Sequence, residues 1–186
     1  MRATVSIGHP VGVPAVAYLL TFSTYGTHLP GSENGWVDAQ HCIPGSPMLP
    51  HNPKRKAYWR SRLHEPPWIL DRDARLIALR AILEVCRYRE WMPYAIHVRS
   101  SHVHAVIGGM VKPERMLSDF KAYATRALRS AGGFSERRRY WADHGSTRYL
   151  WNQATLNTAI DYVLEGQGAR MACYPDAREP AATGNY

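Results

Sequence analysis

Ser101-His102-Val103-His104-Ala105-Val106-Ile107-Gly108-Gly109 (SHVHAVIGG) reads as an apolar strand with two histidines set into it. Residues two apart on a strand face the same way, so His102 and His104 project side by side and Val103 goes to the other face. Two adjacent imidazoles make half of a divalent-metal site. As core residues, each would instead need a hydrogen-bond partner of its own. A histidine-triad hydrolase would want a third imidazole at the next same-face position, which is Val106. That class is excluded.

Working outward, Tyr94 to Arg99 reads as a second strand, joined to the first through a turn at Arg99-Ser100-Ser101. Before it, Asp71 is placed to cap a helix running to about Trp91. Leu76, Leu79, Ile82, Leu83 and Cys86 recur there at helical spacing, and Pro93 stops the run. After the histidine strand, Pro113 opens a second helix with Met116, Leu117, Phe120, Ala124, Ala127 and Leu128 on one side, ended by Gly132-Gly133. Ala15 to Tyr25 and Thr147 to Trp151 read as further strands. A last helix spans about Thr155 to Glu165 and closes at Gly166 or Gly168. The order is strand, helix, strand, strand, helix, strand, helix. It predicts an α+β, ferredoxin-like fold: an antiparallel sheet with helices on one face plus a C-terminal helix.

The expected organisation is a flexible N-terminus over 1–14, broken by Gly8, Pro10, Gly12 and Pro14, then one domain over 15–172 and a flexible tail over 173–186. Residues 26–68 form a Pro- and Gly-rich excursion too long for a plain connector, with the basic, aromatic stretch Asn52–Arg62 inside it. Of 186 residues, 45% are hydrophobic and 20% charged, which favours a packed core over disorder. No apolar run is long enough to cross a bilayer. Cys42, Cys86 and Cys173 form no CxxC pair, which points to a reduced, cytoplasmic setting.

The net charge is +8, and all but Arg2, Arg170 and Arg178 of the 23 basic side chains lie between His51 and Trp151. All but Lys54, Lys56, Lys112 and Lys121 are arginines, the side chain that forks onto phosphate and stacks on bases. Tyr58, Trp59, Trp68, Tyr88, Trp91, Tyr94, Tyr140, Trp141, Tyr149 and Trp151 are interleaved with them. Cationic and aromatic together suit single-stranded nucleic acid.

A metal held by His102 and His104 needs a further ligand, and Glu165, Gln167, Asp143 and His144 are all candidates. A phenol is a candidate nucleophile. On the last helix Leu156, Ala159, Ile160, Val163 and Leu164 form the apolar stripe, and Tyr162 falls about 120° from its centre. Tyr123 falls about 80° from the stripe of the preceding helix, at the margin of the core. That geometry favours Tyr162, with Tyr123 second.

These residues converge on a resemblance. SHVHAVIGG resembles the HUH motif (His, hydrophobic, His) of single-tyrosine transposases, especially the REP-associated tyrosine transposases. TYGTHLPGSENGWVD after the first strand, HGSTRYLW before the last helix and AIDYVLEGQG within it are similar to the same group, in the same order. The resemblance implies an HUH endonuclease fold with Mg²⁺ or Mn²⁺ on His102 and His104, and Tyr162 as the nucleophile. The implied activity is DNA transposition: nicking and rejoining single-stranded DNA near hairpin (REP-like) sites through a covalent 5′-phosphotyrosine. The protein would act in the cytoplasm, at the nucleoid, as a monomer or homodimer. Relatives carry a metal-binding amide one turn after the tyrosine; here Gly166 stands there and Gln167 is next. Ser100-Ser101 replaces the usual Pro-Asn or Pro-Asp before the first histidine. Arg99, Lys121, Arg126 and Arg148 are the expected DNA contacts. Two competing readings are a catalytically inactive binder of structured single-stranded DNA or RNA and a two-histidine hydrolase of small phosphoesters. The second would not need the basic, aromatic block.

Overall fold

The computed structural model describes residues 14–33, 35–36 and 47–176. The expectations for 1–13, Cys42 and 177–186 lie outside the described residues. In chain order the elements are β1 (Ala17–Thr24), α1 (Pro53–Ser61), α2 (Arg72–Tyr88), β2 (Met92–Val98), β3 (His102–Gly108), α3 (Pro113–Ser130), β4 (Trp141–Leu150), α4 (Gln153–Leu164) and β5 (Ala172–Tyr174). The five strands form one antiparallel sheet in the order β4-β1-β3-β2-β5. Setting aside α1, α4 and β5 leaves the βαββαβ arrangement expected of a ferredoxin-like fold.

Strand alternation sorts the side chains onto two faces. Leu20 and Phe22 of β1, Ile96 and Val98 of β2, and Val103, Ala105 and Ile107 of β3 meet α2 and α3, where Ile82, Val85, Phe120 and Leu128 are buried against them. The opposite face holds Ala17, Ala95, Val106 and Leu150, covered by Leu156, Ala159 and Val163 of α4. So α2 and α3 share one face, and the C-terminal helix takes the other.

The caps explain the helix bounds. Asp71 accepts a hydrogen bond from the Ala74 amide at the start of α2. That helix ends at Tyr88, earlier than Trp91, because Glu90 turns into the left-handed region at φ 56. Asn152 caps α4 by accepting from the Thr155 amide, while the Thr155 hydroxyl accepts from the Asn152 amide.

Three features depart from the expectation. The excursion contains a helix, α1, started by Asn52 as cap and Pro53 in the first turn. Strand β4 begins at Trp141, six residues before the expected Thr147, because pairing with β1 continues through exposed polar residues. The expected tail boundary at 172/173 falls inside a strand: Cys173 and Tyr174 pair with His97 and Ile96 of β2.

Leu156, only 1% exposed, is the anchor of α4 on its sheet face. Leu156→Ala is expected to lower unfolding free energy by about 2–5 kcal/mol in urea. An unchanged midpoint would mean that α4 is not seated there.

Candidate functional site

The imidazoles of His102 and His104 stand on the α4 face of β3 with ring centroids 4.7 Å apart. Register places Thr21 of β1 opposite His104, and the Thr21 hydroxyl is hydrogen-bonded to His104 Nδ1 at 2.8 Å. The Ser101 hydroxyl is hydrogen-bonded to His102 Nδ1 at 3.0 Å. With both Nδ1 atoms held, each Nε2 is the atom presented to a ligand. Burial pushes the His104 pKa down to about 4, with the neighbouring His102 and His97 rings adding to it. Burial, then the Arg99 charge, also lowers that of His102. Both rings are therefore neutral near pH 7, the form that ligates metal.

Tyr162 lies in the last turn of α4, 45% exposed, as its angle from the apolar stripe predicts. Its ring centroid is 5.4 Å from that of His104, edge to face. Phenol and imidazoles thus come together within one chain.

Beyond α4 the chain folds back over the tyrosine. A Cβ on Gly166 would lie 2.8 Å from the Tyr162 carbonyl oxygen and 3.3 Å from its ring, so a side chain at this position would collide with the tyrosine itself. Gly168 then turns the chain at φ +73. Between the two glycines, the Gln167 amide nitrogen donates to the Tyr162 carbonyl at 3.2 Å. The same side chain acts on both imidazoles, raising their pKa values against the burial that lowers them.

Among the described residues no three His, Cys, Asp or Glu side chains are grouped to hold a metal. Glu165 pairs with Arg170, and Asp143 and His144 lie on β4, separated from β3 by β1. Of the four candidate ligands, Gln167 is the one at the imidazoles. Two neutral imidazole nitrogens are donors that could hold a divalent ion.

The remaining expected residues divide by sheet face. Tyr123 belongs to α3, on the face opposite the imidazoles, where it packs at the core margin beneath the Arg126 guanidinium 4.9 Å above its ring. The sheet separates Tyr123 and Arg126 from the site. Lys121 is half-buried, and its ammonium donates to the carbonyls of Ala142, Asp143 and His144 at 2.7, 3.2 and 3.1 Å. Its three protons are thus matched by β4, making it a staple for that strand rather than a phosphate ligand. Arg99 donates one N–H to the Ala169 carbonyl at 2.7 Å, beside the Gln167 turn. Arg148 pairs in register with Leu19, which pairs with Val106, so it stands exposed on the imidazole face two strands away.

Sequence reasoning missed His97. Fully buried on β2 and in register with His104, it accepts from the Met171 amide through Nε2 at 3.1 Å. Nδ1 therefore carries the proton and donates to the Val163 carbonyl at 2.9 Å. One ring thus ties the residue after Tyr162 to the far end of the loop carrying Gln167. His28, after β1, was also missed; its charge helps to lower the His102 pKa.

No protein-family model matches the chain, and no curated protein sequence does. Among solved structures, the chain is similar to a REP-associated tyrosine transposase bound to a REP hairpin. The two are 12% identical with a TM-score of 0.45, over 86% of this chain and 71% of that one.

His97→Leu is expected to cost about 1–3 kcal/mol by stranding the Val163 carbonyl. Exchange of the Met171 amide should accelerate at least tenfold by NMR, and unchanged exchange would show that the ring does not hold the loop. A second expectation concerns acid. The unfolded His104 binds its proton near pH 6.5 and the folded one near 4, so stability is full above about 6.5 and is lost as pH falls toward 4. The loss amounts to roughly 3 kcal/mol. Urea melts of the metal-free protein should show that slope, and His104→Gln should flatten it; equal slopes would contradict the buried, neutral ring.

Proposed function

We propose that the protein is a metal-dependent, single-tyrosine DNA nickase and strand transferase of the HUH transposase type. The observation that carries this reading is the 5.4 Å approach of the Tyr162 ring to His104 in one chain, with Gln167 in the turn just after, bonded to the Tyr162 carbonyl. His102, His104 and Gln167 would hold Mg²⁺ or Mn²⁺. A bound divalent ion supplies Lewis-acid polarisation of a phosphodiester.

The chain's own residues do the rest. The Tyr162 oxygen adds to phosphorus as the bond from phosphorus to the 3′ oxygen breaks. The phenolic proton passes to solvent, and the departing oxygen takes up a proton to become a 3′-hydroxyl. The phosphate stays on Tyr162 as a 5′-phosphotyrosine ester, so a second 3′-hydroxyl can reverse the step without a nucleoside triphosphate. Exposure of Tyr162 on an open sheet face suits a polymeric substrate. Arg99, at the Gln167 turn, and Arg148, across the face, are the guanidinium groups suited to the backbone phosphates. The motif resemblance supports DNA with hairpin-forming, REP-like sites as the substrate.

With labelled hairpin DNA carrying single-stranded flanks, the protein and Mn²⁺ should give an SDS-resistant adduct that EDTA abolishes. Tyr162→Phe should lose the adduct and Tyr123→Phe should keep it; the reverse pattern would overturn the assignment. Tight hairpin binding with no adduct under any metal condition would leave a non-catalytic binder.

A further inference from the structure

Helix α1 does nothing for the core. None of its nine residues, Pro53–Ser61, is buried, yet Tyr58 is 52% and Trp59 is 40% exposed. Two adjacent large rings exposed on a helix without an apolar seat make a patch of the kind that marks a binding surface. From Asn52 to Arg62 the chain has Lys54, Arg55, Lys56, Arg60 and Arg62 and no acidic residue.

The helix is nonetheless firmly presented. The Asn52 amide donates to the Gly31 carbonyl at 3.1 Å. Gly31, at φ +92, lies so close that a Cβ there would be 2.4 Å from the Asn52 carbonyl oxygen. Lys56 reaches Glu33 at 3.0 Å, and the Arg55 guanidinium lies 4.4 Å above the Trp36 ring. These contacts fix the first turn and leave the shaft outward. On the shaft the Tyr58 and Trp59 rings meet edge to face at 5.7 Å, and the Arg62 guanidinium lies 4.5 Å above Tyr58.

We infer that α1 is an accessory single-strand binding site, in which Tyr58 and Trp59 stack on bases and Lys54, Arg60 and Arg62 neutralise the backbone phosphates. Charge complementarity selects a polyanion, and the exposed rings select one with flat, stackable faces. An acidic polypeptide would meet the charge and leave the rings uncovered. The inference rests on the proposal that the substrate is single-stranded DNA, and it adds a handle on a different element from the tyrosine and the imidazoles.

The test is equilibrium binding of a fluorescent oligothymidine to the full-length protein over a series of salt concentrations, without metal. Because α1 has no buried side chain, its variants should keep the wild-type melting temperature. Tyr58→Leu/Trp59→Leu should weaken binding at least tenfold with little change in salt slope, and Tyr58→Phe/Trp59→Phe should restore it. Lys54→Ala/Arg60→Ala should make the slope of log affinity against log salt shallower by about 1.4. Wild-type affinity in the leucine variant would overturn the inference, as would displacement of the oligonucleotide by polyglutamate at equal charge. Adduct formation is scored separately. An adduct with no effect of the leucine pair removes this site and leaves the nickase reading; the converse removes the nickase reading and leaves this site.

Discussion

The seating of α4 on the sheet is the contact that makes a site possible. Leu156, Ala159 and Val163 close over Ala17, Ala95, Val106 and Leu150, the apolar half of a face whose other half carries His102, His104 and Thr21. The helix covers what water disfavours and stops where the face becomes polar. Its last turn therefore delivers a phenol to the edge of the imidazoles. The alternation of β3 sets the other side of the contact: one residue of slip would turn both histidines into the α2–α3 core and bring Val103 out.

The segment after α4 completes the arrangement through backbone constraints. Gly166 lets the chain pass against Tyr162, Gly168 reverses it, and Gln167 between them reaches the tyrosine carbonyl. His97 and Arg99 hold this loop from the neighbouring strand and turn, through carbonyl and amide groups rather than side chains. Strand β5 continues the restraint by pairing with β2 directly after Met171.

Much of this was legible because it is local. Asp71 and Pro113 mark helix starts, the His-Val-His alternation assigns a face, and the angle of Tyr162 from its stripe sets it outside the core. Helix α1 escaped because helical periodicity is visible only when one face is apolar, and none of its residues is buried; the Asn52-Pro53 start was the available signal. The early part of β4 escaped for a similar reason, being an exposed edge strand of polar residues held by Lys121. His97 could not be read at all. Its partners are a carbonyl and an amide 66 and 74 residues away, and backbone groups leave no mark in composition.

The account turns on His102, His104, Gln167 and Tyr162 surrounding one cation position, and paramagnetic broadening tests that without any substrate. Substoichiometric Mn²⁺ added to isotopically labelled protein should bleach the two imidazoles, the Gln167 side-chain amide and the Tyr162 ring before other signals. Broadening centred on Asp143 and His144, or imidazole broadening that spares Tyr162 and Gln167, would contradict it.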